Sequence, residues 1–180
     1  MKRNLIKLRP LEEKDLSTDY LSWLNDPEVN SFLEVRFNPP KNISNLKKYL
    51  KEFDNNSKYL FGIFDVKKDK HIGNITLDIN KNHGTGYFGY VLGDKSFWGT
   101  SAITDAKFLL LDFAFFKKKL RRVWGSAYDS NHASIFNFKR FGFQKEATLR
   151  DAYYDKDEIV DGISFGIKKE EWEIHRKKFI

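Results

Sequence analysis

Apolar and polar residues alternate along this chain with two different periods, and the switches between them divide it into elements. Over Asn4 to Arg9, Leu5, Lys7 and Arg9 alternate with Ile6 and Leu8 before Pro10, which predicts a short first strand. From Ser17 to Trp23 the spacing becomes helical: Tyr20, Leu21 and Leu24 share a face, Ser17 is placed to cap, and Asn25-Asp26-Pro27 ends the helix. A second short helix is expected from Glu28 to Leu33. After Pro39-Pro40 a third is expected, capped by Ser44 and carrying Leu46, Tyr49, Leu50 and Phe53 at three- and four-residue intervals. Two strands then follow, Tyr59 to Val66 and His71 to Ile79, joined by the turn Lys67-Lys68-Asp69-Lys70 as a hairpin.

The stretch from Gly86 to Phe116, GYFGYVLGDKSFWGTSAITDAKFLLLDFAFF, organises the rest. An aromatic strand pattern (Tyr87, Phe88, Tyr90, Val91, Leu92) passes through a turn into about four turns of helix with apolar residues on every side, the mark of a buried helix. The first N–H groups of such a helix lack intrahelical partners and the helix dipole is positive there, which suits an anion such as phosphate. Gly99 permits close backbone approach, and Thr100 or Ser101 can cap the helix. On local chemistry alone an ordinary strand-to-helix connection explains the same residues.

Val123 to Ala127 is expected as a strand parallel to the Gly86 strand, since a helix separates them. A helix from Asn131 to Phe141 stops at Gly142. Two final strands surround the Tyr154 to Glu158 turn, and a helix from Glu170 to Lys177 closes the chain. There is no internal repeat or linker, so residues 1–180 are expected to form one α/β domain on a mixed sheet.

Composition narrows the function. In 180 residues, 41% hydrophobic and 16% aromatic content supports a real core. The absence of cysteine removes disulfides, thiolate metal sites and a cysteine nucleophile, and the four histidines show no ligand spacing, so no metal is expected. No stretch reaches the ~20 apolar residues of a membrane span, and a cytoplasmic protein is expected. A net charge of +7 favours an anionic ligand. The 32 basic residues are nevertheless interspersed with 25 acidic ones, which argues against nucleic acid as the partner. Lys117-Lys118-Lys119 reads as a set of cations complementing a helix C-terminus. Exposed aromatic residues in the final hairpin are a candidate surface for pairing two copies.

The segment Trp98-Gly99-Thr100-Ser101-Ala102-Ile103-Thr104-Asp105-Ala106, followed by Asn131-His132-Ala133-Ser134 and Phe141-Gly142-Phe143, resembles the acetyl-CoA-binding motifs of the GCN5-related N-acetyltransferases (GNAT). The opening LRPLEEKDL, Trp23-Leu24-Asn25-Asp26-Pro27-Glu28-Val29 and His71-Ile72-Gly73-Asn74 are similar to segments of the RimJ/RimL branch, the ribosomal-protein N-terminal acetyltransferases. The likeness covers nearly the whole chain. It implies the GNAT fold: a mixed, mostly antiparallel sheet of about seven strands with helices on both faces, and two central parallel strands that splay around acetyl-CoA.

What the resemblance implies for the site follows acetyl-transfer chemistry, which needs a neutral amine, a stabilised oxyanion and a proton donor for the thiolate. Backbone N–H groups of Trp98, Gly99, Thr100, Ser101 and Ala102 would hold the pyrophosphate, and those of Val91 and Leu92 the acetyl carbonyl. Asn131 would contact the pantetheine arm or the acceptor, and Ser134 would give the thiolate its proton. Read without the resemblance, Asn131 is a helix cap and Ser134 is packing. Four positions depart from the family pattern: Ser101 where glycine is usual, Ile103 where a small residue is usual, Phe138 in place of a tyrosine acid, and Tyr87 in place of a carboxylate. His83 and Asp78 are the remaining candidate bases, with solvated turn and strand-end roles as the alternative.

Trp23, Asn25 and Arg36 are expected to wall the acceptor, a primary amine on a small molecule or a peptide. A nucleotide-linked amino sugar is one candidate, since YLSWLNDPEVNSFLEVRF also resembles a segment of surface-polysaccharide enzymes and Arg36 would pair with its phosphates. A protein N-terminus is the other. A degenerate module that binds acetyl-CoA without turnover is the non-enzymatic alternative.

Overall fold

Residues 5–180 are described by a computed structural model, with seven strands and six α-helices among them. The strands are β1 (Ile6–Pro10), β2 (Lys58–Asp65), β3 (His71–Asn80), β4 (Thr85–Leu92), β5 (Arg122–Tyr128), β6 (Gln144–Asp155) and β7 (Glu158–Lys168). They form one mixed sheet in the order β1-β2-β3-β4-β5-β7-β6. Strands β4 and β5 run parallel, whereas β1/β2, β2/β3, β5/β7 and β6/β7 are antiparallel. The helices are α1 (Thr18–Asn25), α2 (Pro27–Asn30), α3 (Ile43–Leu50), α4 (Ala102–Asp112), α5 (His132–Arg140) and α6 (Lys169–His175). Asn4, where the first strand was expected to begin, lies outside the described residues.

The chain forms two compact units. One holds the described residues up to Ile79 together with Gly89–Leu110, and the other holds Asn80–Phe88 and Leu111–Ile180.

In the first unit, β2 is buried from Tyr59 to Asp65, as its unbroken run YLFGIF requires of a strand covered on both faces. Leu60 and Phe64 pack with Leu11, Tyr20, Trp23, Leu24 and Leu46 from α1, α3 and the loop after β1. Helix α1 begins where its cap was expected: the Ser17 hydroxyl accepts the Tyr20 N–H at 3.1 Å. The third helix begins earlier than expected. Asn42, rather than Ser44, is its cap, because the Asn42 side-chain oxygen accepts the Asn45 N–H and Ile43 already starts the helix. The second helix is shorter than expected, ending at Asn30, whose buried side chain turns back to donate to the Leu24 carbonyl at 2.8 Å.

The second unit is held by stacked aromatic rings. Phe138 of α5 lies parallel to Phe165 of β7 with centroids 4.7 Å apart, and Phe141 stacks on Phe179 at 4.6 Å. Gly125 makes room for this layer, since a β-carbon there would lie 2.9 Å from the Phe138 ring. Helix α5 stops as expected at Gly142, whose φ of 84° is a left-handed conformation. The long apolar helix does not remain α-helical to Phe116. Past Asp112 it widens into a π-helical turn, Phe113–Lys117, in which Ala114 and Phe115 are fully buried. Asp112 anchors the C-terminal segment by accepting the Trp172 indole N–H at 2.8 Å and a forked pair of bonds from Arg176.

One half-buried polar group makes the first unit sensitive to acid. The His71 ring lies 5.1 to 5.4 Å from the rings of Phe64, Trp23 and Tyr20, and its Nε2–H donates to the Asn74 carboxamide oxygen at 2.9 Å. Burial holds His71 below the ordinary imidazole value of 6.5, against the Asn74 bond and the Asp15 charge, which act the other way. A base with a depressed folded pKa binds fewer protons in the folded state than in the unfolded one. Stability therefore falls as pH drops below about 6.5 towards the folded value, by at most about 1.4 kcal/mol per pH unit. Melting temperatures measured between pH 7.5 and 5.5 should decline more steeply for the natural protein than for His71→Gln.

Candidate functional site

The end of β4 is held tightly by its own unit. A β-carbon at Gly73 would lie 2.4 Å from the Val91 carbonyl oxygen, so only glycine allows the two strands to approach this closely. The Ile72 carbonyl accepts the N–H groups of both Gly93 and Asp94 at 3.0 Å. The Trp23 indole lies against Gly93, 2.0 to 2.4 Å from where a β-carbon would sit. Because Gly93 bonds to β3, the alternation of an antiparallel ladder turns the N–H and C=O of Leu92 to the opposite side. The Leu92 carbonyl meets the Trp98 indole N–H there at 2.9 Å.

The loop after β4 is framed by Asp94. Its carboxylate accepts the Ser96 N–H and hydroxyl at 3.0 and 2.6 Å and pairs with Lys70 at 2.7 Å, and these contacts hold its pKa below the ordinary range against the cost of burial. Three of the five backbone N–H groups expected to face a phosphate are engaged within the loop. Trp98 donates to the Lys95 carbonyl, Thr100 to the Phe97 carbonyl, and Ala102 to the Thr100 hydroxyl. Thr100 thus covers the first N–H of α4, while Ser101, whose carbonyl accepts the Asp105 N–H at 2.8 Å, holds the N-cap position. Among the described residues, the N–H groups of Gly99 and Ser101 have no such partner, nor do those of Ile103 and Thr104 in the first turn of α4. Gly99 has φ 74° and no atom within 4 Å of its would-be β-carbon, so the loop is open to a ligand at that point. The Ser101 hydroxyl turns into the helix and donates to Asp105 at 3.0 Å. These features fit a pyrophosphate: several backbone donors converge at the positive end of an 11-residue helix.

The expected acceptor residues also belong to this unit. Trp23 is 8% exposed and forms part of the core. The Asn25 side chain donates to the Leu21 and Pro40 carbonyls, both at 2.9 Å. The Arg36 guanidinium donates to the Ser31 carbonyl and lies 4.7 Å from the Phe37 ring centroid. Lys95 pairs with Asp26 at 2.7 Å and with Glu28, tying the loop after β4 to the start of α2.

In the other unit, β5 leads through Tyr128 and the turn residue Ser130 into α5. The Asn131 side-chain oxygen accepts the Ser134 N–H at 3.0 Å, which makes Asn131 the cap of the helix. Ser134 is buried one turn on. Phe138 lies wholly within the aromatic layer. Tyr87 is partly exposed, with its ring 4.6 Å from Trp124. His83 occupies an exposed turn, where its N–H donates to Asn80 and its carbonyl accepts from Arg121, and Asp78 is an exposed residue of β3.

Two features escaped sequence reading. The Trp98–Leu92 hydrogen bond has no sequence signature. Lys107 is buried within α4, with its Nζ 4.1 Å from the Tyr90 ring centroid, and burial draws its pKa down while Tyr90 offsets this. Its position four residues after Ile103 and four before Leu111, on an apolar stripe, was the available clue.

The model of the acetyltransferase (GNAT) domain matches residues 6–144. The SPbeta prophage-derived uncharacterized N-acetyltransferase YokL of Bacillus subtilis (strain 168) is 26% identical over 173 residues, covering 94% of this chain and 93% of the relative. The uncharacterized N-acetyltransferase p20 of Bacillus licheniformis is 27% identical over 175 residues, covering 94% and 95%. The structure of spermidine N-acetyltransferase from Vibrio cholerae in complex with CoA and spermine shares the fold, with a TM-score of 0.82 and 20% identity over 94% of this chain and 98% of that one. The chain therefore belongs to the acetyltransferase (GNAT) family, and it is an N-acetyltransferase.

Proposed function

We propose that residues 1–180 act as one acetyltransferase domain that moves an acetyl group from acetyl-CoA to the primary amine of a small molecule, by direct attack in a ternary complex. The observation that carries this reading is the Trp98–Ala102 loop, with open backbone at Gly99 and free N–H groups leading into α4. The thioester supplies an activated acetyl group. Gly99 and Ser101 hold the pyrophosphate through their N–H groups, with the backbones of Trp98, Thr100 and Ala102 shaping the loop around it. The Leu92 N–H, turned away from β3 beside Val91, is the donor for the acetyl carbonyl and its developing negative charge. The Asn131 Nδ2 meets the pantetheine arm, and the Ser134 hydroxyl gives its proton to the departing thiolate.

The acceptor reading follows from charge. A net charge of +7 and the guanidinium of Arg36 favour an amine with an anionic portion, the class that includes nucleotide-linked amino sugars. The polyamines named for the Vibrio cholerae relative are cationic, and a protein N-terminus is the acceptor of the RimJ/RimL branch. Both belong in the same amine screen.

Calorimetric titration tests the donor site. The natural protein should bind acetyl-CoA with Kd of about 1 μM, roughly −8 kcal/mol, and Ser101→Tyr, which obstructs the loop, should abolish binding. Absence of binding at millimolar acetyl-CoA would overturn the reading. With the amine identified by screening, Ser134→Ala should keep acetyl-CoA affinity and lower kcat about 10²-fold, measured by thiol release.

A further inference from the structure

The Trp98 side chain has an environment that phosphate binding does not explain. The residue is 43% exposed, so it contributes little to the core. Its indole N–H nevertheless reaches back six residues to the Leu92 carbonyl at 2.9 Å, outside any helix or ladder. The loop is framed without it: Asp94 orders Ser96 and pairs with Lys70, Trp98 and Thr100 donate through their backbones, and the Thr100 hydroxyl accepts the first N–H of α4. The frame therefore does not require the indole N–H.

The peptide between Leu92 and Gly93 is consequently fixed at both edges. Its N–H is held by the Ile72 carbonyl at 3.0 Å and its C=O by the Trp98 indole at 2.9 Å. A planar peptide held at both edges cannot rotate about its flanking bonds, and Leu92 itself is set in one orientation. On the other side of Leu92, the Val91 carbonyl is pressed against Gly73. The Leu92 N–H and C=O point to the same side, so whatever fixes the carbonyl also aims the N–H. The Trp98 ring is steadied in turn by Lys95, 5.8 Å from its centroid and paired with Asp26 at 2.7 Å.

We propose that Trp98 is a positioning residue for the acetyl carbonyl: its indole N–H holds the Leu92 carbonyl and so keeps the Leu92 N–H aimed at the thioester. The proposal rests on the reading above that the Leu92 N–H receives the acetyl carbonyl. It gives the phosphate loop a second function, since one residue both lies in the nucleotide-binding turn and sets the donor for the reacting group. Small errors in such alignment are costly in rate.

Isotope-edited infrared spectroscopy of acetyl-CoA carrying a ¹³C carbonyl tests this without an acceptor amine. On the natural protein the carbonyl band should move to lower frequency on binding, reporting polarisation by the N–H. In Trp98→Phe, and in a protein with 3-benzothienylalanine at position 98, which keeps the indole shape and removes only the N–H, most of that shift should be lost. Affinity for CoA, measured by calorimetry, should stay within about twofold. A full shift in the benzothienylalanine protein overturns the proposal and leaves the functional reading intact. Loss of CoA affinity together with the shift in that protein also overturns it, by making Trp98 an anchor of the loop. A natural protein that binds acetyl-CoA but leaves the band unmoved removes the assignment of Leu92 and the proposal with it.

Discussion

The close approach of β3 and β4 at Gly73 is the constraint on which the site depends. With the Val91 oxygen 2.4 Å from where a β-carbon would be, the two backbones can meet only because residue 73 has no side chain. Everything downstream inherits that position. The Ile72 carbonyl is then within reach of two successive N–H groups, Gly93 and Asp94, and this ends the ladder and starts the loop. The Trp23 indole fills the space that a side chain at Gly93 would take, so α1 contributes to the same fixed point. A flexible strand end would leave Leu92 free to hydrogen-bond in several directions. Here its two backbone groups face one side only.

Around this point the first unit tolerates polar groups that apolar packing alone would exclude. His71 is enclosed by three aromatic rings and relies on Asn74, while Lys107 is enclosed by α4 and relies on the face of Tyr90. Each costs desolvation energy that its partner offsets only in part, which is the physical content of their lowered pKa values. Asp15 behaves differently. Burial would raise its pKa, but a forked pair of bonds from Arg9 at 2.6 and 2.7 Å and the Glu12 N–H bring it down instead. The difference lies in geometry: a guanidinium offers two donors in the plane of the carboxylate, whereas His71 and Lys107 meet single or diffuse partners.

Much of this architecture was legible in the sequence because period and punctuation agreed. The hairpin of β2 and β3, the parallel placement of β5, the Ser17 cap and the stop at Gly142 each followed from a local pattern with one physical solution. The errors lay where two local solutions competed. Asn42 and Ser44 are both good caps, and the choice fell to the one that let Ile43 join the helix and pack against the core. Asn30 ended α2 by a side-chain bond back to Leu24, which depends on where α1 already lies. In the loop, the residue types pointed to backbone donors at a helix start. They did not say which N–H groups remained available, because that depends on which carbonyls and hydroxyls the folded loop turns inward.

The departures from the family pattern are absorbed by packing and hydrogen bonding. Phe138 cannot give a proton and has been absorbed into an aromatic layer with Phe165, Phe88 and Phe143, so returning a hydroxyl there would place an unsatisfied group in the core. Tyr87 stands where the family pattern has a carboxylate, and its ring leans on Trp124. Ser101, where glycine is usual, keeps its N–H available by sending its hydroxyl to Asp105 rather than across the loop. The bulk that appears costly in sequence is turned into the helix, and the open edge of the loop remains backbone.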